Sequence, residues 1–242
     1  MSKKDEIHVL GGRVVLRQIE GGFKTSTDSV LLAAACAAKT GDQILDLGCG
    51  VGSAGLCVLG RVSGAHLIGI DILPDHIALA HANAKINDKG DYARFVAEDI
   101  RDFEDDEFDH VICNPPYMES GSYIDTPYAR KAVAIGHGED DIDLKDWIDA
   151  AHRNLRHGGS FTIIHRGDAV DRIIRLLGTR FGAVEIIPLW PKAGVAARRV
   201  IVRAIKNRKS PGVLHAGIVL HEDSGDYTTA AEAVLRNGAG LF

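Results

Sequence analysis

Gln43-Ile44-Leu45-Asp46-Leu47-Gly48-Cys49-Gly50-Val51-Gly52 is a short apolar run that breaks into alternating glycines, and small and apolar residues from Ser53 to Gly60 follow it. A run of that length stopped by glycine reads as a buried strand, and the stretch after it as a helix. Glycines at Gly48, Gly50 and Gly52 let a nucleotide-like group come close to the backbone between them. The spacing, G-x-G-x-G after an acid, differs from the G-x-G-x-x-G dinucleotide fingerprint. Beyond the glycines by about 20 residues, Leu67-Ile68-Gly69-Ile70-Asp71 is a second apolar strand ending in an acid, the distance at which a carboxylate accepts both hydroxyls of a ribose in a βαβ unit. A third strand, Ala93 to Ala97, closes with Glu98-Asp99-Ile100. Three strand ends therefore turn acceptors towards one crevice.

A fourth apolar run, ending in Val111-Ile112-Cys113, passes into Asn114-Pro115-Pro116-Tyr117. Proline fixes its own φ and keeps the residue before it out of the helical region, so two prolines make a stiff exit from the strand. Neither can donate a backbone hydrogen bond. Left at the strand end are acceptors, the Asn114 side-chain oxygen and the carbonyls of Asn114 and Pro115, suited to a planar NH₂ group. Tyr117 is placed to stack on the ring that carries the amine.

The order of glycine loop, Asp71, Asp99 and Asn-Pro-Pro-Tyr resembles class I S-adenosylmethionine-dependent methyltransferases acting on exocyclic or amide nitrogens. Gly22-Phe23-Lys24-Thr25-Ser26-Thr27-Asp28-Ser29-Val30-Leu31-Leu32-Ala33 narrows the likeness, as do Leu189-Trp190-Pro191-Lys192-Ala193-Gly194, Arg199-Val200-Ile201-Val202 and Leu220-His221-Glu222. With these, nearly the whole chain resembles a family of bacterial tRNA adenine methyltransferases, whose nearest pattern is that of methylation at the 6-amino group of the adenine 3′ of the anticodon in valine tRNA. The resemblance implies S-adenosylmethionine as cofactor, S-adenosylhomocysteine as product and RNA, most of all tRNA, as partner. It implies catalytic roles for Asn114, Pro115 and Tyr117. Cofactor contacts fall to Lys24, Thr25, Asp28, Asp46, Gly48, Gly50, Gly52, Asp71, Ile72, Asp99, Ile100 and Asn114. RNA contacts fall to Phe23, Tyr117, Arg130, Arg166, Lys192, Arg198 and Arg199.

Several of these letters have a second reading. Asp71 also suits a cap for the helix near Pro74, and Asp99 or Asp102 a cap for the turn after it. Asp46 acts through water or orients the glycine loop. Lys24, Thr25 and Asp28 close over the methionine end of the methyl donor or begin a capped helix, and Phe23 walls the pocket or fills the core.

Outward from the glycine stretch, strands 43–47, 66–71, 93–97, 109–113 and 160–164 interleave with helices 53–60, 75–87, 144–156 and 168–177. Alternation of this kind makes a doubly wound α/β fold around a mostly parallel, seven-stranded, Rossmann-like sheet, whose ligands bind at the carboxyl ends of the strands. Strands 183–189 and 199–205 supply the last two, as an antiparallel hairpin at one edge. Residues 7–10 and 13–17 read as a β-hairpin closed by Gly11-Gly12, and a helix over Asp28–Lys39 follows, capped by Ser26 or Thr27. The expected organisation is one structural unit: residues 1–40 packed on a methyltransferase domain of residues 41–242. Residues 118–138 read as a long loop that becomes ordered over the substrate.

With 242 residues and 45% hydrophobic content, the chain is long enough for one α/β core. Cys36, Cys49, Cys57 and Cys113 lie in apolar or glycine-rich runs without ligand spacing, which suggests reduced thiols in a cytoplasmic protein. No signal peptide or membrane span is expected, the 11 histidines give no metal pattern, and a monomer is favoured. The net charge of −5 hides an asymmetry: residues 1–150 carry 14 Lys and Arg against 26 acids, whereas residues 151–210 carry 13 against 3. That second segment reads as a phosphate-contacting face holding Arg166, Arg172, Arg175, Lys192, Arg198, Arg199, Arg203, Lys206, Arg208 and Lys209, or as solvated faces pairing with the acidic half.

Rival functions share the chemistry. A protein glutamine methyltransferase uses the same tetrapeptide but carries a helical domain ahead of the glycine loop, where this chain has 42 residues. A ribosomal-RNA guanine methyltransferase differs only in substrate, and a binding module retains methyl-donor affinity without turnover.

Overall fold

A computed structural model describes residues 6–18, 25–105, 108–117 and 142–241. Phe23, Lys24, Arg130 and the expected loop 118–138 lie outside the described residues.

Strands β1 (Glu6–Val9) and β2 (Val14–Arg17) pair antiparallel, from Val9 opposite Val14 to Glu6 opposite Arg17. Their link is not the two-residue glycine turn but a 3₁₀ turn over Leu10–Gly12, with Leu10 at φ 51° and Gly11 at 64°. Leucine tolerates the left-handed region poorly. Here its side chain is fully buried, and burial outweighs the strain. Helix α1 (Thr27–Ala35) is capped by Ser26, whose hydroxyl accepts from the Asp28 N–H. It stops four residues before Lys39 because Cys36 is extended and Lys39 belongs to a turn, its N–H donating to the Asp42 carboxylate at 2.8 Å.

The main sheet contains β3 (Gln43–Leu47), β4 (His66–Asp71), β5 (Ala93–Ala97), β6 (Phe108–Cys113), β7 (Leu155–Arg166), β8 (Phe181–Trp190) and β9 (Arg199–Lys206), with two-residue strands β10 (Val213–Leu214) and β11 (Ile218–Val219) added along β8. The order is β10-β8-β9-β7-β6-β3-β4-β5. The seven expected strands are its body. Strand β9 alone runs antiparallel, between β7 and β8, so β8 is the outer member of the hairpin and is itself covered by β10 and β11.

Helices α2 (Ser53–Arg61), α3 (Pro74–Ile86), α4 (Leu144–Asn154) and α5 (Val170–Leu177) lie close to the expected spans, and α6 (Thr229–Leu235) follows the last strands. Successive side chains of a strand face opposite sides, and each side here has its own core. Ile44 and Ile112 join a cluster with the hairpin, α1, α2 and α6, while Leu45, Leu47, Val111 and Cys113 join α4 and α5. Two covered faces make the sheet doubly wound. Asp46, between Leu45 and Leu47, must then point into the first of these layers, and it is 2% exposed. No described helix is long and apolar enough to cross a membrane.

Candidate active site

The glycine loop leaves β3 with Gly48, Gly50 and Gly52 at φ of 62°, 56° and 84°, a left-handed series that favours glycine at all three. A Cβ on Gly48 would sit 2.5 Å from the Trp147 ring, whereas one on Gly50 would meet nothing within 4 Å. The loop is therefore closed on one side and open above Gly50.

Polar groups on four segments hold the loop and the start of α2. Asp71, at the end of β4, accepts from the Gly50 N–H and the Leu73 N–H, each at 2.9 Å. Asp46 accepts from the Gly55 N–H at 2.9 Å. Asn83 of α3 donates to the Val51 carbonyl at 2.9 Å, and the Thr25 and Ser53 hydroxyls are 2.6 Å apart. Burial, with the Asp71 charge adding to it against the Gly55 hydrogen bond, pushes the Asp46 carboxyl up to about 7. Asp71 is not the N-cap of α3: that position is Leu73, and no side chain caps the helix there. Asp99 is gripped by Arg101, accepting from its N–H at 2.9 Å and from its guanidinium at 3.1 and 2.7 Å. Ile72 is half-buried, and Ile100 is buried at 4% exposure.

Cys113 lies beside Leu47 in the parallel register, so Asn114 and Gly48 leave the sheet side by side. The Tyr117 hydroxyl is 2.7 Å from the Asn114 side-chain oxygen and 2.9 Å from an Asp28 oxygen, and its single proton serves one of them at a time. Arg199, at the start of β9, donates to the same Asp28 oxygen at 3.0 Å and stands 4.4 Å from the centre of the Tyr117 ring. His165 meets that ring edge-on at 5.1 Å. Burial and the Asp28 charge hold the Tyr117 phenol far above its ordinary pKa, so it remains a hydrogen-bond donor. Burial and Arg166 pull His165 down to about 4, leaving it neutral near pH 7. Asn83, Arg101 and His165 escaped the sequence reading. For Asn83 a signal existed, a second asparagine four residues on at Asn87.

The basic segment does not form one face. Arg166, Lys192, Arg198 and Arg199 stand at the carboxyl edge of the sheet, because β9 starts where β7 and β8 end. Lys206, Arg208 and Lys209 follow β9 to the opposite edge. Arg203 pairs with Glu185 at 2.8 Å, Arg175 with Asp171 at 2.8 Å and Arg172 with Asp143 at 3.6 Å. At the carboxyl edge, Arg166 pairs with Asp168, Lys192 donates to the Asp223 carbonyl at 3.0 Å, and Arg198 is exposed.

A family model described as the methyltransferase small domain matches residues 24–189 of this chain. The chain belongs to that family. Its methyltransferase small domain takes in the glycine loop, Asp71, the Asn114–Tyr117 tetrapeptide and β8 as far as Leu189. Among similar proteins, a tRNA1(Val) (adenine(37)-N6)-methyltransferase of Shewanella amazonensis is 33% identical over 89% of this chain and 91% of its own. One of the same name from Shewanella baltica is 27% identical over 89% and 92%. The crystal structure of a predicted O-methyltransferase from Agrobacterium tumefaciens superposes with a TM-score of 0.72, at 26% identity over 89% of this chain and 98% of that one. Among the described residues, no group of three or more His, Cys, Asp or Glu is arranged to hold a metal ion, and all four cysteines are free and buried.

Proposed function

We propose that this methyltransferase transfers a methyl group from S-adenosylmethionine to the exocyclic 6-amino group of an adenine in tRNA, and that the base is adenine 37, 3′ of the anticodon in valine tRNA, for which the Shewanella relatives are named. One observation carries the reading: the Asn114 acceptor and the open glycine loop leave neighbouring strands side by side.

The residues present fit the cofactor. Space above Gly50 admits a ligand against the backbone, and a carboxylate has about four acceptor sites, so Asp71, which also meets the His76 ring nitrogen at 3.2 Å, can hold the loop and still accept from the ribose. Thr25, Gly48, Gly52 and Ile72, together with Lys24, are assigned to the same pocket. Asp99, largely engaged by Arg101, sets the adenine end together with Ile100. When bound, the cofactor supplies an electrophilic sulfonium methyl.

The protein's own task is to place the nucleophile. An adenine amine is weak because its lone pair is delocalised into the ring. Hydrogen bonds accepted by the Asn114 side chain and the Pro115 carbonyl orient the amine and favour the nitrogen as it loses planarity. When the Tyr117 proton turns to Asp28, both lone pairs of the Asn114 oxygen become available to that amine. Asparagine is no general base, so the surplus proton leaves after transfer, when the nitrogen has become acidic. The base enters unpaired and stacks on the face of Tyr117 opposite Arg199. Arg166, Lys192, Arg198 and Arg199, with Phe23 and Arg130, contact the RNA. The reaction belongs in the cytoplasm, where tRNA and reduced thiols coexist.

The test is nucleoside mass analysis of valine tRNA transcript incubated with the cofactor. N6-methyladenosine is expected with the wild-type protein and at least about 100-fold less with Asn114→Ala. Methyl appearing on guanosine, or equal product from both proteins, sinks the proposal.

A further inference from the structure

The N-terminal hairpin has no counterpart in the chemistry above, yet it touches the glycine loop through one side chain. In an antiparallel pair, alternate residues bond to the partner strand, leaving the others with N–H and C=O on the outer edge. On β2 those are Val15 and Arg17, and two asparagines one helical turn apart on α3 take the place of a third strand. Asn87 accepts from the Val15 N–H at 2.8 Å and donates to the Val15 carbonyl at 2.7 Å. Asn83 does the same at Arg17, accepting at 2.8 Å and donating at 3.1 Å. The Asn87 amide otherwise turns back to the Asn83 carbonyl at 2.7 Å, whereas the Asn83 amide reaches the glycine loop, donating to the Val51 carbonyl at 2.9 Å. Asn83 is 0% exposed. All the donors and an acceptor of its amide are committed to joining β2 with the loop.

Val51 lies between two left-handed glycines, the residues least able to hold a peptide plane unaided. Fixing its carbonyl sets the plane of the Val51–Gly52 peptide, and with it the Gly52 N–H that donates to Cys49 at 2.9 Å. We infer that Asn83 is a positioning residue for cofactor binding, with the hairpin as its anchor: it preorganises the glycine loop before the ligand arrives. The inference rests on the reading that this loop holds the methyl donor. Asn87 is the internal comparison, since it grips the same strand and does not reach the loop.

Calorimetric binding of S-adenosylhomocysteine, run where thermal melts show each protein folded, separates the two roles. Asn83→Ala is expected to bind about tenfold or more weakly, and Asn87→Ala within about twofold of wild type, while both melt earlier. Asn83→Asp keeps the acceptor for the Arg17 N–H but loses both N–H donors and turns a buried carboxylate towards the Arg17 and Val51 carbonyls, so it is expected to melt earlier and to bind weakly. Wild-type affinity in both Asn83 variants, or an equal affinity loss in Asn87→Ala, would overturn the inference. A wild-type protein that binds no S-adenosylhomocysteine would instead overturn the cofactor reading itself.

Discussion

Asp46 is a carboxylate held where its charge is unwelcome. Its native pKa of about 7 lies above the 3.8 of the exposed group, so between those values the folded state binds more protons than the unfolded one. Stability from this residue is fullest below about pH 4 and is lost as pH rises towards 7, to a total of a few kcal/mol at about 1.4 kcal/mol per unit. Asp46→Asn keeps an oxygen for the Gly55 N–H and has no charge to desolvate. Relative to wild type, the variant is expected to gain about 2–4 kcal/mol on going from about pH 4 to about pH 8, read as the difference between their denaturant midpoints. Parallel curves would rule out the buried charge. Taking the difference isolates Asp46, because Asp42 and Glu185, whose pKa values are lowered, change stability in the opposite sense in both proteins.

The glycine loop separates fold from function within a single element. In Gly48→Ala, a left-handed alanine costs about 1–2 kcal/mol, and the methyl group overlaps Trp147, adding about 1–3 more. That variant is expected to melt well below wild type. Gly50→Ala carries the backbone strain alone, and its methyl group projects into open space. It is expected to stay folded with a small loss of stability while affinity for S-adenosylhomocysteine falls by about tenfold or more. Melts and titrations on both variants decide it. Full affinity in Gly50→Ala would mean that the ligand lies elsewhere.

Across the whole molecule, the topology divides what composition groups together. The cations of residues 151–210 are dispersed because β9 runs backwards, carrying Arg199 to the site edge and Lys206 away from it. Removing Arg166, Lys192 and Arg198 together is expected to weaken tRNA binding and to reduce the slope of log affinity against log salt by about 2. Removing Arg208 and Lys209 is expected to leave both unchanged. Filter binding across a salt series checks this, and equal effects from the two sets would refute the assignment of the rim. The same contrast shows where sequence reading stops: charge totals are additive along the chain, but a face is made by neighbours in space.

Strands 43–47, 66–71 and 93–97 were legible to the residue, and so were the acids at or near their ends and the asparagine after Cys113, because apolar runs stopped by glycine, acid or proline carry their own boundaries. The doubly wound class followed from their alternation with helices. Packing alone decided the rest. Leu10 bends left-handed because the core takes its side chain, and β10 and β11 are too short to show a period and exist only along β8. Tyr117 meets Asp28 across 89 residues, Arg199 meets Asp28 across 171, and Asn83 meets Arg17 across 66. Local patterns record the bonding preferences of adjacent residues, whereas partners so far apart in the chain are chosen by the way layers close over one another.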